Sequence, residues 1–136
     1  MFTHQTSLRV RYADTDQMGY VYYGNYAQYY EVGRVEAMRS LGITYAWMEK
    51  EMATMMPVMN ANFEYLRPAF YDELLTIETN IPLIPENEII FESQIFNGNN
   101  KVVNKGMIRL CFVDIKTKKR INIPSALLDK LISHYD

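Results

Sequence analysis

Cys111 is the only cysteine in the chain, so no disulfide can close within it and a reducing compartment suits it. Histidine is nearly as scarce. His4 and His134 stand near the two ends, which leaves no imidazole for a Ser/His or Cys/His nucleophile in the middle of the chain. No apolar run approaches the ~18 residues of a membrane span. The opening MFTHQTSLRVRY lacks the apolar core of a secretory signal. Net charge is −2 and the isoelectric point about 5.7, without the basic surplus of a dedicated nucleic-acid binder. Repeats, low-complexity tracts and linkers are also missing. The expectation is one domain over residues 1–136, working in the cytoplasm.

Tyrosine, by contrast, is plentiful. Six of the 11 tyrosines crowd into residues 20–30: Tyr20, Tyr22, Tyr23, Tyr26, Tyr29 and Tyr30. They belong to the stretch Arg11–Ser40, around which the rest of the chain is arranged. This stretch starts as a strand and passes through a turn carrying Asp14, Asp16 and Gly19. It then becomes the longest helix in the sequence. A carboxylate turn running into a helix N-terminus sets a base beside free backbone N–H groups, a pairing suited to chemistry on a carbonyl.

Alternation predicts a first strand over residues 6–13, with Leu8, Val10 and Tyr12 on one face and Arg9 and Arg11 on the other. The helix is predicted from Gly24–Asn25 to Leu41, ended by Gly42, with Asn25 and Gln28 as a capping box. Tyr26, Tyr30, Gly33, Ala37 and Leu41 form its buried stripe. Gly33 costs such a helix roughly 1 kcal/mol against Ala, which close approach to a sheet would offset. Thr44 caps a short second helix over 44–51. Strands follow at Thr54–Leu66, Glu73–Leu83, Glu88–Phe96 and Lys101–Ile115. The Asn97-Gly98 step marks a hairpin between the last two, and Pro124 opens a C-terminal helix. The order makes an α+β protein of about five antiparallel strands with the helix on one face.

Asp14-Thr15-Asp16 carries the chemistry. Taken by itself it is either a polar turn stabilised by one Asp or a site in which a carboxylate attacks, or activates water against, an electrophilic carbon. The pair could also ligate Mg²⁺, as in phosphatases with a D-x-D turn. Such phosphatases want Thr or Val where Met18 stands, and a later acidic pair that this chain lacks. Cys111 lies in the apolar run Met107–Val113 and reads as a small buried hydrophobe.

The run from Tyr12 to Tyr26, YADTDQMGYVYYGNY, resembles the signature of the 4-hydroxybenzoyl-CoA thioesterase family and its Tol–Pal-associated acyl-CoA thioesterase relatives. That signature is a D-x-D-x-x-G turn, a hydrophobic pair, then Asn-Tyr opening a central helix. A second block, Asn62-Phe63-Glu64-Tyr65-Leu66-Arg67-Pro68-Ala69 with Asp72 and Leu74, matches too. The resemblance implies a hotdog fold, a long central helix wrapped by a curved antiparallel sheet. It implies a homodimer or homotetramer with sites at subunit interfaces, and hydrolysis of an acyl-CoA thioester without cofactor or metal. By position it makes Asp16 the catalytic carboxylate and the Tyr23 N–H the donor to the thioester carbonyl. Tyr12, Gly19, Tyr20, Val21, Gly24 and Asn25 become substrate-binding. Glu31 is a second candidate carboxylate, because another branch of hotdog thioesterases uses one on the central helix. Acyl carrier protein in place of CoA, or a non-catalytic acyl-binding role, are the alternatives. Two departures stand out. Tyr23 replaces a histidine common in relatives, and the connection Ile84-Pro85-Glu86-Asn87 carries proline and acid where relatives place basic and serine residues for the CoA phosphates.

Overall fold

A computed structural model describes residues 1–136. It contains strands β1 (Phe2–Arg9), β2 (Thr54–Met55), β3 (Val58–Tyr65), β4 (Leu74–Ile81), β5 (Glu88–Phe96), β6 (Val102–Asp114) and β7 (Arg120–Ile121). The helices are α1 (Tyr26–Ser40), α2 (Tyr45–Glu51) and α3 (Ser125–Leu131). The sheet runs β1-β4-β5-β6, every pairing antiparallel, and β6 also pairs with β2, β3 and β7. Seven strands stand where about five were expected. The two extra are two-residue ladders, and Pro57, which has no N–H to give, separates β2 from β3 within the predicted Thr54–Leu66 strand.

Helix α1 lies on the face formed by Leu75, Ile77, Thr79 and Ile81 of β4 together with Ile89, Phe91, Ser93 and Ile95 of β5. Its buried residues include Tyr26, Tyr30, Gly33 and Ala37, as the stripe predicted, while Leu41 is only partly covered. Gly33 is where the helix comes closest. A Cβ there would stand 2.7 Å from Ile77 Cγ2 and 2.8 Å from Thr79 Oγ1. The Tyr30 ring crosses Gly106 of β6, stacks on Phe63 of β3, and donates its hydroxyl hydrogen to Asn104 Oδ1 at 2.6 Å. Large side chains such as Tyr30, Phe91 and Phe112 are fully enclosed, and each such burial is worth roughly 1.5–3 kcal/mol.

Local signals held in most places. Gly42 takes the left-handed φ of +81° that ends α1, and Thr44 Oγ1 accepts the Trp47 N–H at 3.1 Å to cap α2. The β5–β6 hairpin forms through Asn97, whose Oδ1 accepts from the N–H groups of Asn99 and Lys101. The positive φ falls on Asn100 rather than Gly98. Two expectations need correction. Asn25 makes no capping box: it sits in a 3₁₀ turn, Tyr23–Asn25, that leads into α1, and its amide donates to the Asp14 carbonyl at 2.8 Å. The first strand ends at Arg9 instead of running to residue 13, because the chain turns at Tyr12–Asp14 and puts Tyr12 outside, 78% exposed. No helix is long and apolar enough to cross a membrane.

Candidate active site

The turn between β1 and α1 is built by its two aspartates in different ways. Asp14 is buried. Its Oδ2 accepts from the Arg11 backbone N–H at 3.0 Å and from the Tyr29 hydroxyl at 2.8 Å, while Oδ1 accepts from the Arg11 guanidinium at 3.0 Å. Burial works against the charge, but the hydrogen bonds from Arg11 and Tyr29 outweigh it and hold the Asp14 carboxyl below its ordinary range. Burial, with the bond to Asp14, pushes the Tyr29 phenol well up.

Asp16 stands at the other end of the turn. Its Oδ1 accepts the N–H groups of Met18 at 3.0 Å and Tyr20 at 3.2 Å, and Oδ2 has no protein partner. Gly19, at φ +84°, makes the tight reversal that lets the Asp16 N–H donate to the Tyr20 carbonyl at 2.8 Å. The returning limb docks on the second sequence block. Val21 N–H donates to the Ala69 carbonyl at 2.8 Å, and Tyr20 bridges to Phe70. Tyr22 N–H is taken by the Asp14 carbonyl at 2.9 Å. The next two, Tyr23 and Gly24, open the 3₁₀ turn and find no acceptor, the usual state of the first N–H groups of a helix.

Asp16, Tyr20, Val21 and Tyr23 line one concavity of about 280 Å³ with Met18, Tyr26, Tyr65, Leu66, Arg67 and Pro68. Burial pushes the Tyr26 phenol up to about 12, so it faces this space as a neutral hydroxyl. Tyr12, Gly19, Gly24, Asn25 and Glu31 are not on that lining. Tyr12 packs edge-on against Tyr71 outside it. Gly24 and Asn25 carry the helix start, and Glu31 is exposed farther along α1. Tyr65, Leu66 and Pro68 were matched in the second block without a site role. Only the return of β3 to the turn brings them there. A second hollow of about 290 Å³ lies on the outer face of the sheet, among Asn62, Glu64, Glu92, Gln94 and Lys105. It is polar, with Met107 its one apolar lining side chain, and is poorly suited to an acyl group.

The two carboxylates do not converge as a metal pair. Asp14 is spent on Arg11 and Tyr29, and no group of three or more His, Cys, Asp or Glu is placed to hold a cation. The arrangement presents one accessible carboxylate oxygen, an apolar aromatic wall, and unpaired N–H groups at the start of a long helix.

A long helix laid on an antiparallel sheet, entered through this turn, is the hotdog class of α+β architecture. The family model described as the thioesterase-like superfamily matches residues 10–131, and the chain belongs to that superfamily. It is similar to the Bacillus subtilis protein YneP, provisionally named an acyl-CoA thioesterase. The two are 33% identical over 129 residues, 95% of this chain and 93% of that one. The Haemophilus influenzae acyl-CoA thioesterase YbgC is 29% identical over 117 residues, 86% of this chain and 85% of that one. The crystal structure of a DHNA-CoA thioesterase from Staphylococcus aureus matches with a TM-score of 0.89 at 30% identity, over 98% of this chain and 89% of that one.

Asp14→Asn is expected to cost on the order of 1–3 kcal/mol at neutral pH, because it discharges a buried acceptor of several hydrogen bonds. A carboxyl whose folded pKa is lowered contributes stability above its unfolded pKa of ~3.9 and loses it as pH falls through the folded value. Urea unfolding at pH 7 and at pH 3 should therefore show the gap between wild type and variant narrowing in acid. An unchanged gap would mean that the charge contributes nothing.

Proposed function

We propose that this protein hydrolyses acyl-CoA thioesters, with Asp16 as the working carboxylate and the Tyr23 N–H as oxyanion donor. One observation carries the assignment of residues. Asp16, with an oxygen free of protein partners, and Tyr23, with a free N–H at the helix start, line the same apolar concavity. The named relatives support the substrate class. Water adds to the thioester carbon while its proton passes to Asp16. The resulting oxyanion is held by the Tyr23 N–H and the positive end of α1. Collapse breaks the C–S bond, and the thiolate leaves with the proton from Asp16. Direct attack by Asp16 would form a mixed anhydride first, with the same oxyanion stabilised. Neither route needs a cofactor.

The working form we propose is a homodimer or larger, in the cytoplasm. Strand β3 is an edge strand, paired with β6 on one side only and exposed along nearly all its length, with Val58 54%, Met59 42% and Tyr65 51% exposed. On α1, Arg34 is 5% exposed, lies over the Phe91 ring, takes part in no ion pair, and has an unpartnered Nε. A second copy across the β3 edge would add a further wall to the concavity. At about 280 Å³ that concavity falls just short of the usual ~300–1,000 Å³. Sedimentation at micromolar concentration should show a dimer or higher; a monomer would remove the shared site.

Three variants assign the carboxylate. Asp16→Asn should fold, stay oligomeric and lose most of kcat with a smaller change in KM, the pattern of a group acting in the transition state. Glu31 lies ~9–10 Å along α1 from Asn25 at 1.5 Å per residue, so Glu31→Gln should keep most activity. A dead Glu31→Gln beside a near-normal Asp16→Asn would reverse the roles. At the helix start, Tyr23→Phe should keep most of the rate, while Tyr23→Pro, which has no N–H, should lose on the order of 10²-fold. Circular dichroism must show the proline variant folded. Equal losses in both would point to the phenol.

A further inference from the structure

The concavity that holds Asp16 has one cation on its lining, Arg67. It follows β3 and is tied at both ends to the start of β6. Its backbone N–H donates to the Val103 carbonyl at 3.1 Å, and Nη1 donates to the Val102 carbonyl at 2.7 Å. A guanidinium carries five N–H donors. The one bond made here goes to a neutral acceptor, and Arg67 joins none of the chain's ion pairs. Other arginines near the turn are already occupied. Arg9 pairs with Asp72 and donates to its carbonyl, and Arg11 is bound to Asp14. The connection between β4 and β5, Pro82-Leu83-Ile84-Pro85-Glu86-Asn87, holds no basic residue. A held, exposed and uncompensated guanidinium beside an aromatic wall and a carboxylate is built to take an anion, and its planar fork matches phosphate best.

We propose that Arg67 binds the phosphate at the end of the substrate's pantetheine arm. This rests on the thioester-hydrolase reading above. That phosphate is shared by coenzyme A and by the prosthetic arm of acyl carrier protein, so the residue recognises the carrier and not the acyl group. Arg67 makes no contact with the reacting carbon. Its contribution belongs in KM, and its loss leaves the chemistry at Asp16 and Tyr23 intact.

The test compares one acyl group on three carriers: coenzyme A, 4′-phosphopantetheine, and pantetheine, which lacks the phosphate. In the wild type, KM should be similar for the first two and higher for the third. Arg67→Gln should raise KM for the two phosphorylated carriers by roughly tenfold or more, the size of a lost charge-assisted hydrogen bond, with kcat held. The rise in KM for acyl-pantetheine should be several-fold smaller. Arg67→Lys, which keeps the charge without the fork, should recover part of the loss. Equal loss on all three carriers would make Arg67 a support for its loop and overturn the proposal, as would no loss on any. A wild type that hydrolyses none of the three removes the hydrolase reading itself, and with it this one. Acyl carrier protein as a fourth substrate separates the sources. A KM below that of acyl-CoA assigns the protein-borne phosphate, and a KM above it assigns the nucleotide-borne one.

Discussion

The buried carboxylate of Asp14 is the interaction on which the rest of this site depends. It takes hydrogen bonds from Arg11 before the turn and from Tyr29 on α1, while its backbone carbonyl takes Tyr22 N–H and the Asn25 amide. One residue thus ties the end of β1 and the start of the helix to a single point. Asp16 and Tyr23 lie on opposite sides of that tie. Their shared concavity exists because Asp14 holds the loop closed between them. A charged acceptor suits this task, since hydrogen bonds to an ionised group are about twice as strong as neutral ones.

The second constraint is how closely α1 approaches the sheet. Gly33 lies over Ile77 and Thr79, and Gly106 lies under the Tyr30 ring, so two missing side chains set the spacing. That spacing leaves polar atoms enclosed. Thr79 Oγ1, Ser93 Oγ and Asn104 Nδ2 have no protein partner in a row of otherwise apolar neighbours. Tyr30 satisfies the other end of the Asn104 amide, donating to its Oδ1. Its stack on Phe63 also links the helix to β3, the strand whose far end supplies Tyr65 and Leu66 to the site.

The edge of the sheet and the site are therefore parts of one structure. β3 exposes its length to solvent and then passes, through Tyr65-Leu66-Arg67-Pro68, along the mouth of the concavity. Tyr65 meets both Tyr23 and Tyr26 edge-on. In the oligomer proposed above, a strand paired with β3 would lie beside these aromatics. This physical link joins assembly to catalysis in our reading of the chain.

Much was legible in the chain itself. Period-2 alternation marked β4 by Leu75, Ile77, Thr79 and Ile81, and the stripe from Tyr26 to Ala37 marked the buried face of α1. Both periodicities are properties of the backbone and need no partner to be seen. The D-x-D-x-x-G run and the Asn62–Ala69 block were likewise visible, each as a separate piece. Their meeting was not: Val21 reaches Ala69 and Tyr20 reaches Phe70 across almost 50 intervening residues, a contact that only the closed sheet creates. The tertiary structure also decided the fate of Asn25, drawn away from capping by the Asp14 carbonyl, and of Tyr12, turned outward by the bonds between Arg11 and Asp14. Local pattern records which residues want burial or a turn. The resemblance had already singled out Asp16 over Asp14 as the working carboxylate; what the tertiary structure added is the packing that encloses Asp14, its bond from Tyr29 on α1, which no spacing in the sequence encodes.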